Sequence, residues 1–497
     1  MIANIKHLFV LMLENRSFDH LFSFSGLPGV PKAPARFGLK PDAPDSLAAD
    51  VPHEFADVQA QIKGGAMSGF SGDGLRAFVP AAIPTLVSLA RSSVFFDNWY
   101  SSMPGPTWPN RLFAHAGSSG GLDNSLSGIA SWAALSNAGM YMRFEHGHVY
   151  DRLVSRGRTW RVYRSDTYPL VLSLKGMVDK RQDFFRPIEQ LRQDVAATDA
   201  ADYTFIEPKY DALGGFANGN SQHPVGSVAA GEVLVAYVHN AIFQSPVADS
   251  SALLVTWDEH GGFFDHAAPP PAHPPNDAPL NHNRAAQPGD CTFAKLGVRV
   301  PAMLVSPWLP VGLGSTLFPR RTFDHTSIVS SLRELFALGG QITDRDGAAP
   351  TWWSAIGSEP RKINPLPARS RAVPRMSRSI PDLSKFAASE EPSGTIMGVA
   401  NIAVDIDWHI AERTGKAPLI AAEFRERIAS ASLVLTRHLQ KRRPTVTTAS
   451  VKKAHWTLLG YLAAVQQREL KYGKQRATSE SQKRRASPKR VAGRGSA

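Results

Sequence analysis

The chain has 497 residues, of which 43% are hydrophobic and 20% charged, and it carries a formal net charge of +12. This composition excludes a disordered or fibrous chain, and the length suffices for one large catalytic domain with additions or for two or three ordinary domains. The single cysteine, Cys291, excludes an intramolecular disulfide, which suits a reducing compartment without ruling out export.

The first predicted element is a strand from Ile5 to Leu13, a continuous apolar run of the kind that is buried on both faces of a parallel sheet. Its most apolar part, from Leu8 to Leu13, is too short to cross a membrane, and it lacks the small-residue cleavage site of a signal peptide. The sequence as it stands therefore predicts a cytoplasmic protein, or a secreted or periplasmic one if an upstream signal is missing.

Strand-like and helical patterns alternate along the next three hundred or so residues. Strands are predicted at 94–99, 159–163, 203–206, 252–257 and 300–306, and helices at 83–92, 110–116, 226–244 and 326–337. This alternation predicts an α/β fold with helices on both faces of a mostly parallel central sheet. Two long loops, 25–50 and the proline-rich 267–290, are predicted to be binding surfaces or lids.

The composition changes beyond the predicted catalytic domain, which comprises residues 1–364. Residues 365–398 are rich in Pro, Ser and Arg and are predicted to form a linker. Residues 399–472 carry apolar residues at helical spacing and are predicted to form a helical region. Residues 473–497 are predicted to form a disordered basic tail.

The positive charge of the chain is concentrated at this C-terminus. From residue 471 onwards nine basic residues face one acid, Glu480, so this segment carries +8 and the rest of the chain +4. Without interleaved aromatic residues, the tail would bind polyanions or an anionic membrane surface weakly and through charge alone. We favour a solubilising extension with no specific nucleic-acid partner over the alternative of a polyanion- or membrane-surface-binding protein. The sequence does not indicate an oligomeric state.

Three polar clusters follow predicted strands, at the edge where open parallel sheets bind ligands. They are Glu14–Asn15 after FVLML, Thr107 in SSMPGPTWPNR, and Asp258–Glu259 after LLVTW. Each alone has a structural explanation, respectively a helix start, a helix N-cap and a turn. Together their carboxylate, amide and hydroxyl oxygens form a site for one hard divalent cation, such as Ca²⁺, Mg²⁺ or Mn²⁺. A hydroxyl on such a cation, at a helix start that favours anions, is a competent nucleophile for phosphorus.

The motifs that contain these clusters resemble a known family. The segments VLMLENRSFDHLF, GPTWPNR, EPKYD, TWDEHGGFFDHAAPPP and RVPAMLVSPW with FDHTSI are similar, in that order, to bacterial phospholipases C and related acid phosphatases. These enzymes form a phosphoesterase family within the alkaline phosphatase superfamily. The resemblance spans about residues 5–337 and implies an alkaline-phosphatase-like three-layer α/β sandwich, one divalent cation and a Ser or Thr nucleophile.

The resemblance also implies roles for individual residues. Thr107 matches the nucleophile, which also contacts the metal, and the metal ligands match Glu14, Asn15, Asp258 and Glu259. Three further positions match histidines that bind phosphate or protonate the leaving oxygen, namely His53, His223 and His266. His266 is the first choice for the general acid, and His223 is the second.

Other residues of the motifs are expected to be structural. His20, His260 and His325 are interpreted as hydrogen-bonded structural histidines, and Asp265 and Asp324 as supporting or turn residues rather than metal ligands. The chain departs from the family in its C-terminal helical region and basic tail, in the missing export signal, and at Gln222, where the family often has an acid before the histidine. The first two departures weaken the case for a membrane phospholipid as substrate.

The resemblance favours a phospholipase C-type diesterase that uses a phospho-threonine intermediate and releases diacylglycerol and a phosphorylated headgroup. The alternative within enzymes is a broad-specificity acid phosphatase that acts on small phosphomonoesters. The metal-site residues do not discriminate between these two functions, because both need the same nucleophile and the same charge neutralisation.

Overall fold

A computed structural model describes residues 2–125, 141–212, 215–281, 291–368, 370, 373–376, 394–419, 461–462, 464–473 and 476. The described strands form one eight-stranded sheet in the order β4-β3-β5-β1-β6-β7-β2-β8. Their bounds are β1 His7–Leu13, β2 Val94–Phe96, β3 Trp160–Arg164, β4 Phe185–Pro187, β5 Tyr203–Glu207, β6 Ser251–Trp257, β7 Ala302–Val305 and β8 Gly312–Leu313.

The sheet is parallel except for β7, which runs antiparallel to both of its neighbours, β6 and β2. The central strands β1, β5 and β6 are almost completely buried along their whole length. Burial on both faces explains why these strands are continuous apolar runs rather than alternating ones. The predicted α/β class with a mostly parallel sheet is confirmed.

Helices connect the strands and cover the sheet. Their bounds are α1 Phe18–Phe22, α2 Phe55–Ile62, α3 Pro84–Arg91, α4 Thr107–Ala116, α5 Val149–Ser155, α6 Met177–Phe184, α7 Leu191–Ala196, α8 Val228–Phe243, α9 Gly314–Leu317, α10 Thr326–Phe336, α11 Asp344–Ala348 and α12 Gly394–Thr414. Among their contacts, α8 packs against α3 and α7, and α10 packs against α4 and α11. No described helix combines the length and apolarity needed to cross a bilayer.

The described part of the C-terminal region packs against the catalytic part of the chain. Helix α12 contacts α6, and Arg181 of α6 makes two hydrogen bonds to the carboxylate of Glu469, at 2.9 and 2.8 Å. The start of the predicted linker is also held, because the backbone of Leu366 bonds twice to the side chain of Asn240. Residues 377–393 of the linker, most of the helical region and residues 477–497 of the tail lie outside the described residues. The four-part division of the chain stays a prediction.

Candidate active site

The ends of two neighbouring strands bring two of the predicted clusters to one edge of the sheet. Strands β1 and β6 are parallel, and Leu13 is paired with Trp257 at their carboxyl ends. Glu14 and Asp258 are the next residues along these strands, so both emerge at the same edge. Their side chains are buried, with 1% and 0% exposed.

Asn15 joins Thr107 to this edge through hydrogen bonds. The hydroxyl of Thr107, the first residue of α4, donates to Oδ1 of Asn15 at 3.1 Å. The backbone N–H of Asn15 donates to Oδ1 of Asp258 at 3.0 Å, and that of Glu259 donates to the same oxygen at 2.8 Å. Asn15 has a φ of 58°, a left-handed conformation that Asn tolerates better than most residues. The structure therefore links four of the five predicted metal-site residues directly by hydrogen bonds, and Glu14 is adjacent in the chain.

Arg111 is a buried cation at this site that the sequence analysis did not single out. It lies four residues after Thr107, one turn further along α4, and its Nε donates to Oδ2 of Asp258 at 2.8 Å. A second guanidinium nitrogen donates to the carbonyl oxygens of Met12 and Leu13. Burial raises the pKa of Asp258 to about 6, although Arg111 favours its ionised form. Arg111 thus fixes the carboxylate against the end of β1.

Glu14 and Glu259 each present a buried oxygen that accepts no hydrogen bond from the described residues. Oε2 of Glu14, Oε1 of Glu259 and Nδ2 of Asn15 have no hydrogen-bond partner among the described residues. Burial raises the pKa of Glu14 to about 7, because a buried carboxylate charge is costly when nearby groups do not fully neutralise it. Open carboxylate oxygens beside a carboxamide fit the donor preference of a hard divalent cation. Asp258 has both oxygens engaged but retains acceptor capacity on Oδ2.

His53 and His223 flank the acidic cluster and meet at Asp50. Nε2 of His53 lies 3.8 Å from Oε1 of Glu259. Burial opposes protonation of His53, but the carboxylates of Glu259 and Asp50 raise its pKa to about 10. Nε2 of His223 lies 3.3 Å from Oδ2 of Asp50, and His223 is a source of positive charge that lowers the pKa of Glu14. Both histidines are therefore placed to contact an anion at this edge.

His266 belongs to a second cluster, with Asp19, Asp265 and Arg299. Its Nδ1 lies 2.6 Å from Oδ2 of Asp19, and 20% of its side chain is exposed. Asp19, Asp265 and His266 bring one ligand atom each within 4.8 Å of one another, the one such trio of acids and histidines in the described chain. Arg299 already neutralises this trio by bonding to both oxygens of Asp265 and to Oδ1 of Asp19.

The carboxylate oxygens of the trio, unlike Oε2 of Glu14, all have hydrogen-bond partners. Backbone N–H groups of Asp19, His266 and Ala267 donate to the remaining acceptors of the two carboxylates. The guanidinium of Arg299 supplies the positive charge between the carboxylates of Asp19 and Asp265, and every carboxylate oxygen has a partner. This is a satisfied ion-pair network. The trio therefore orients the His266 ring rather than offering a metal site.

The three histidines predicted to be structural have hydrogen-bond partners. His20 bonds to the carbonyl oxygen of Arg76 at 2.7 Å and His260 to Oε1 of Gln61 at 2.8 Å. His325 contacts the carbonyl oxygen of Asp258 at 2.6 Å, and burial lowers its pKa to about 4. The two acids that were predicted to be supporting residues also have hydrogen-bond partners. Asp265 holds Arg299, and Asp324 accepts the backbone N–H of Thr326 at the start of α10.

The chain is similar to known phosphoesterases over most of its length. A profile of the Phosphoesterase family matches residues 5–339. Non-specific phospholipase C6 of Arabidopsis thaliana is 31% identical over 390 residues, which cover 71% of this chain and 72% of that protein. Phospholipase C A of Mycobacterium tuberculosis is 27% identical over 417 residues, which cover 71% and 78% of the two chains. A solved structure of a protein in the alkaline phosphatase superfamily from Vibrio parahaemolyticus matches 70% of this chain and 71% of that chain, at 10% identity and a TM-score of 0.35.

Proposed function

The chain belongs to the phosphoesterase family and is a phosphoric-ester hydrolase, and we propose that it is a phospholipase C-type diesterase with Thr107 as its nucleophile. The observation that carries the proposal is the position of the Thr107 hydroxyl. It lies at the start of α4 and bonds to Asn15 within a buried acidic cluster. The relatives named above are called phospholipases C, which supports a phospholipid as substrate.

A divalent cation is part of the proposal, and its identity among Ca²⁺, Mg²⁺ and Mn²⁺ is open. The groups that would hold it are the side chains of Glu14, Asn15, Thr107, Asp258 and Glu259. When bound, such an ion would neutralise charge on the phosphoryl oxygens and make the threonine hydroxyl more acidic. Its support is the pair of buried carboxylate oxygens, one on Glu14 and one on Glu259, that accept no hydrogen bond within the described part of the chain.

The side chains of this site are proposed to carry out two steps, the formation of a phospho-threonine and its hydrolysis. Oγ1 of Thr107 attacks phosphorus, and the bond from phosphorus to the glycerol oxygen breaks. The start of α4 favours the anionic phosphoryl group, and His53 and His223 offset its remaining negative charge. Water then attacks the phospho-threonine, which releases the phosphorylated headgroup and restores Thr107. This route yields diacylglycerol as the first product.

His266 is the proposed general acid because Asp19 holds its ring through one nitrogen only. Nδ1 of His266 contacts Asp19, so Nε2 is the nitrogen that can protonate the departing glycerol oxygen. Nε2 of His223 is instead engaged by Asp50. His266 and Asp19 belong to the second cluster, and α1, the helix that carries Asp19, begins three residues after Asn15 of the first cluster.

Replacing His266 with glutamine is expected to affect substrates according to their leaving group. A phospholipid leaves as an alkoxide that needs a proton, so its turnover should fall by about 10²–10⁴-fold. A p-nitrophenyl phosphodiester leaves as a stable phenolate, so its turnover should fall much less. His273→Gln, at an exposed position in the loop after His266, is the matched control. An equal loss on both substrates would assign His266 a different role.

The proposed function is tested by giving the purified chain phosphatidylcholine and p-nitrophenyl phosphate in parallel. We expect diacylglycerol and phosphocholine from the first substrate, and a loss of at least about a hundredfold in turnover after chelation that excess divalent cation reverses. Turnover of the monoester alone would make the chain an acid phosphatase. Activity that survives thorough chelation would remove the cation from the proposal.

A further inference from the structure

Asp50 places a negative charge against the two histidines that face the candidate site. Its Oδ2 lies 3.3 Å from Nε2 of His223, and its Oδ1 lies 4.0 Å from Nδ1 of His53. The side chain is 39% exposed, at the end of the long loop that begins near residue 25. Asp50 thus brings an acid to the ring of His223 from a distant part of the chain.

His223 has one ring nitrogen with which it can contact an anion. Nδ1 of His223 faces the backbone, where the N–H of Val225 lies 3.4 Å away, so Nε2 is the ring nitrogen that can reach an anion. Phe216 stacks on the imidazole at 3.9 Å with an interplanar angle of 12°, which holds the ring in this orientation. An anion that binds His223 therefore approaches the same Nε2 that Asp50 contacts.

The charge of Asp50 acts on any substrate at this position. Partial burial opposes ionisation of Asp50, but the imidazoles of His223 and His53 lower its pKa to about 2, so the carboxylate is charged at neutral pH. A phosphodiester carries one negative charge, whereas a phosphomonoester carries close to two near pH 7. At separations of a few ångströms near a protein surface, each extra unit charge costs about 1 kcal/mol or more. Asp50 therefore repels a bound monoester more strongly than a bound diester.

We propose that Asp50 is a specificity-determining residue that disfavours phosphomonoesters and so directs the site toward phosphodiesters. The proposal rests on the proposed function, because it concerns the same nucleophile and the same histidines. It differs from a positioning role, in which Asp50 would only orient the imidazoles. A positioning role would affect every phosphate ester by the same factor, whereas a charge effect scales with the charge of the substrate.

The test compares Asp50→Asn with the wild type on two substrates that share a leaving group. These are p-nitrophenyl phosphate and methyl p-nitrophenyl phosphate, which differ by one methyl ester and therefore by one negative charge. In the full-length chain with the divalent cation that supports its turnover, kcat/KM for the monoester should rise about tenfold relative to that for the diester. Raising the salt from about 0.01 M to about 1 M should shrink this difference, because Asp50 is partly exposed.

Asp45→Asn is the matched control in the same loop. Oδ1 of Asp45 accepts the backbone N–H of Ala229 in α8 at 2.8 Å, and asparagine keeps that acceptor while it removes the charge. It should leave the ratio between the two substrates unchanged. An equal change on both substrates in Asp50→Asn, or no change on either, would overturn the inference.

Binding of inorganic phosphate separates this inference from the proposed function. Calorimetric titration should show phosphate binding about tenfold more tightly to Asp50→Asn than to the wild type, and equally tightly to Asp45→Asn and the wild type. Weaker binding to Asp50→Asn would show that Asp50 supports the anion site, which contradicts the inference. If the wild type cleaved the monoester and not the diester, the diesterase proposal would fail, and this titration would still decide the role of Asp50.

Discussion

Replacing Thr107 with valine is expected to reduce turnover of phosphodiesters by about a thousandfold or more. Valine keeps the branched shape of threonine and removes only the oxygen that would attack phosphorus. The structural cost is one hydrogen bond, because the hydroxyl donates to Oδ1 of Asn15, and such a bond contributes about 1 kcal/mol. The variant should therefore remain folded while the chemical step fails. Steady-state kinetics and thermal unfolding measure the two effects separately.

Two further variants sharpen this test. Thr107→Ser keeps the hydroxyl and should retain measurable turnover. Thr204→Val makes the same change on β5, at an equally buried threonine whose hydroxyl has no hydrogen-bond partner among the described residues, and it should leave turnover unchanged. Acid quenching of the wild type during turnover should leave a phosphoryl group on the peptide that contains Thr107. If Thr107→Val turned over at near the wild-type rate, another nucleophile such as water would have to replace it.

The interior of the sheet was predictable from the sequence, and its edges were not. Strands β1, β5 and β6 are long apolar runs because they are buried on both faces. The two strands that the sequence analysis missed, Phe185–Pro187 and Gly312–Leu313, are the outermost strands of the sheet. They are very short, and each contains a residue, Pro187 or Gly312, that is uncommon within a strand. Pairing with a neighbouring strand, which sequence periodicity does not report, decides their conformation.

The predicted start of α4 was also late by three residues, and the reason bears on the site. The pattern predicted a helix from Asn110, and Thr107 was interpreted separately as a possible N-cap with Pro109 in the first turn. The helix in fact begins at Thr107, so Pro109 is its third residue. A proline there costs no hydrogen bond, because the first N–H groups of a helix have no partner within it. Thr107 is consequently the first residue of the helix rather than the residue that caps it.

The candidate site was predictable only where its residues lie in short, contiguous motifs. Glu14, Asn15 and Asp258 each follow a strand, and the parallel pairing of those strands brings them together. Arg111 could have been predicted to lie at the site, since it is four residues after Thr107 on the same helix. Asp50 carried none, because it is 173 positions from His223 and the course of its loop depends on tertiary contacts. Ion pairs between distant loops follow from packing, and packing is not visible in local sequence pattern.

Replacing Glu14 with glutamine is expected to abolish the response of the protein to divalent cations. In the wild type, a cation at about 100 times its Kd should stabilise the fold by about 2.7 kcal/mol, and this gain should be absent from the variant. Turnover should fall by at least about a hundredfold. Without cation, the variant should be as stable as the wild type or more stable, because Oε2 of Glu14 is buried, has no hydrogen-bond partner among the described residues, and carries a costly charge. Thermal unfolding with and without cation measures both effects.

Glu207→Gln is the matched control, because Glu207 is an equally buried glutamate at the end of the adjacent parallel strand, β5. Its oxygens accept the backbone N–H groups of Leu170 and Val171 and the hydroxyl of Tyr210, at 2.7, 2.7 and 2.8 Å. Replacing one of these charged acceptors by an amide should destabilise the fold while leaving the cation-induced gain intact. The two glutamates should therefore respond in opposite ways, one losing cation binding and the other losing stability. An unchanged cation-induced gain in Glu14→Gln would show that Glu14 is not a ligand, and the buried oxygens at this edge would then need another explanation.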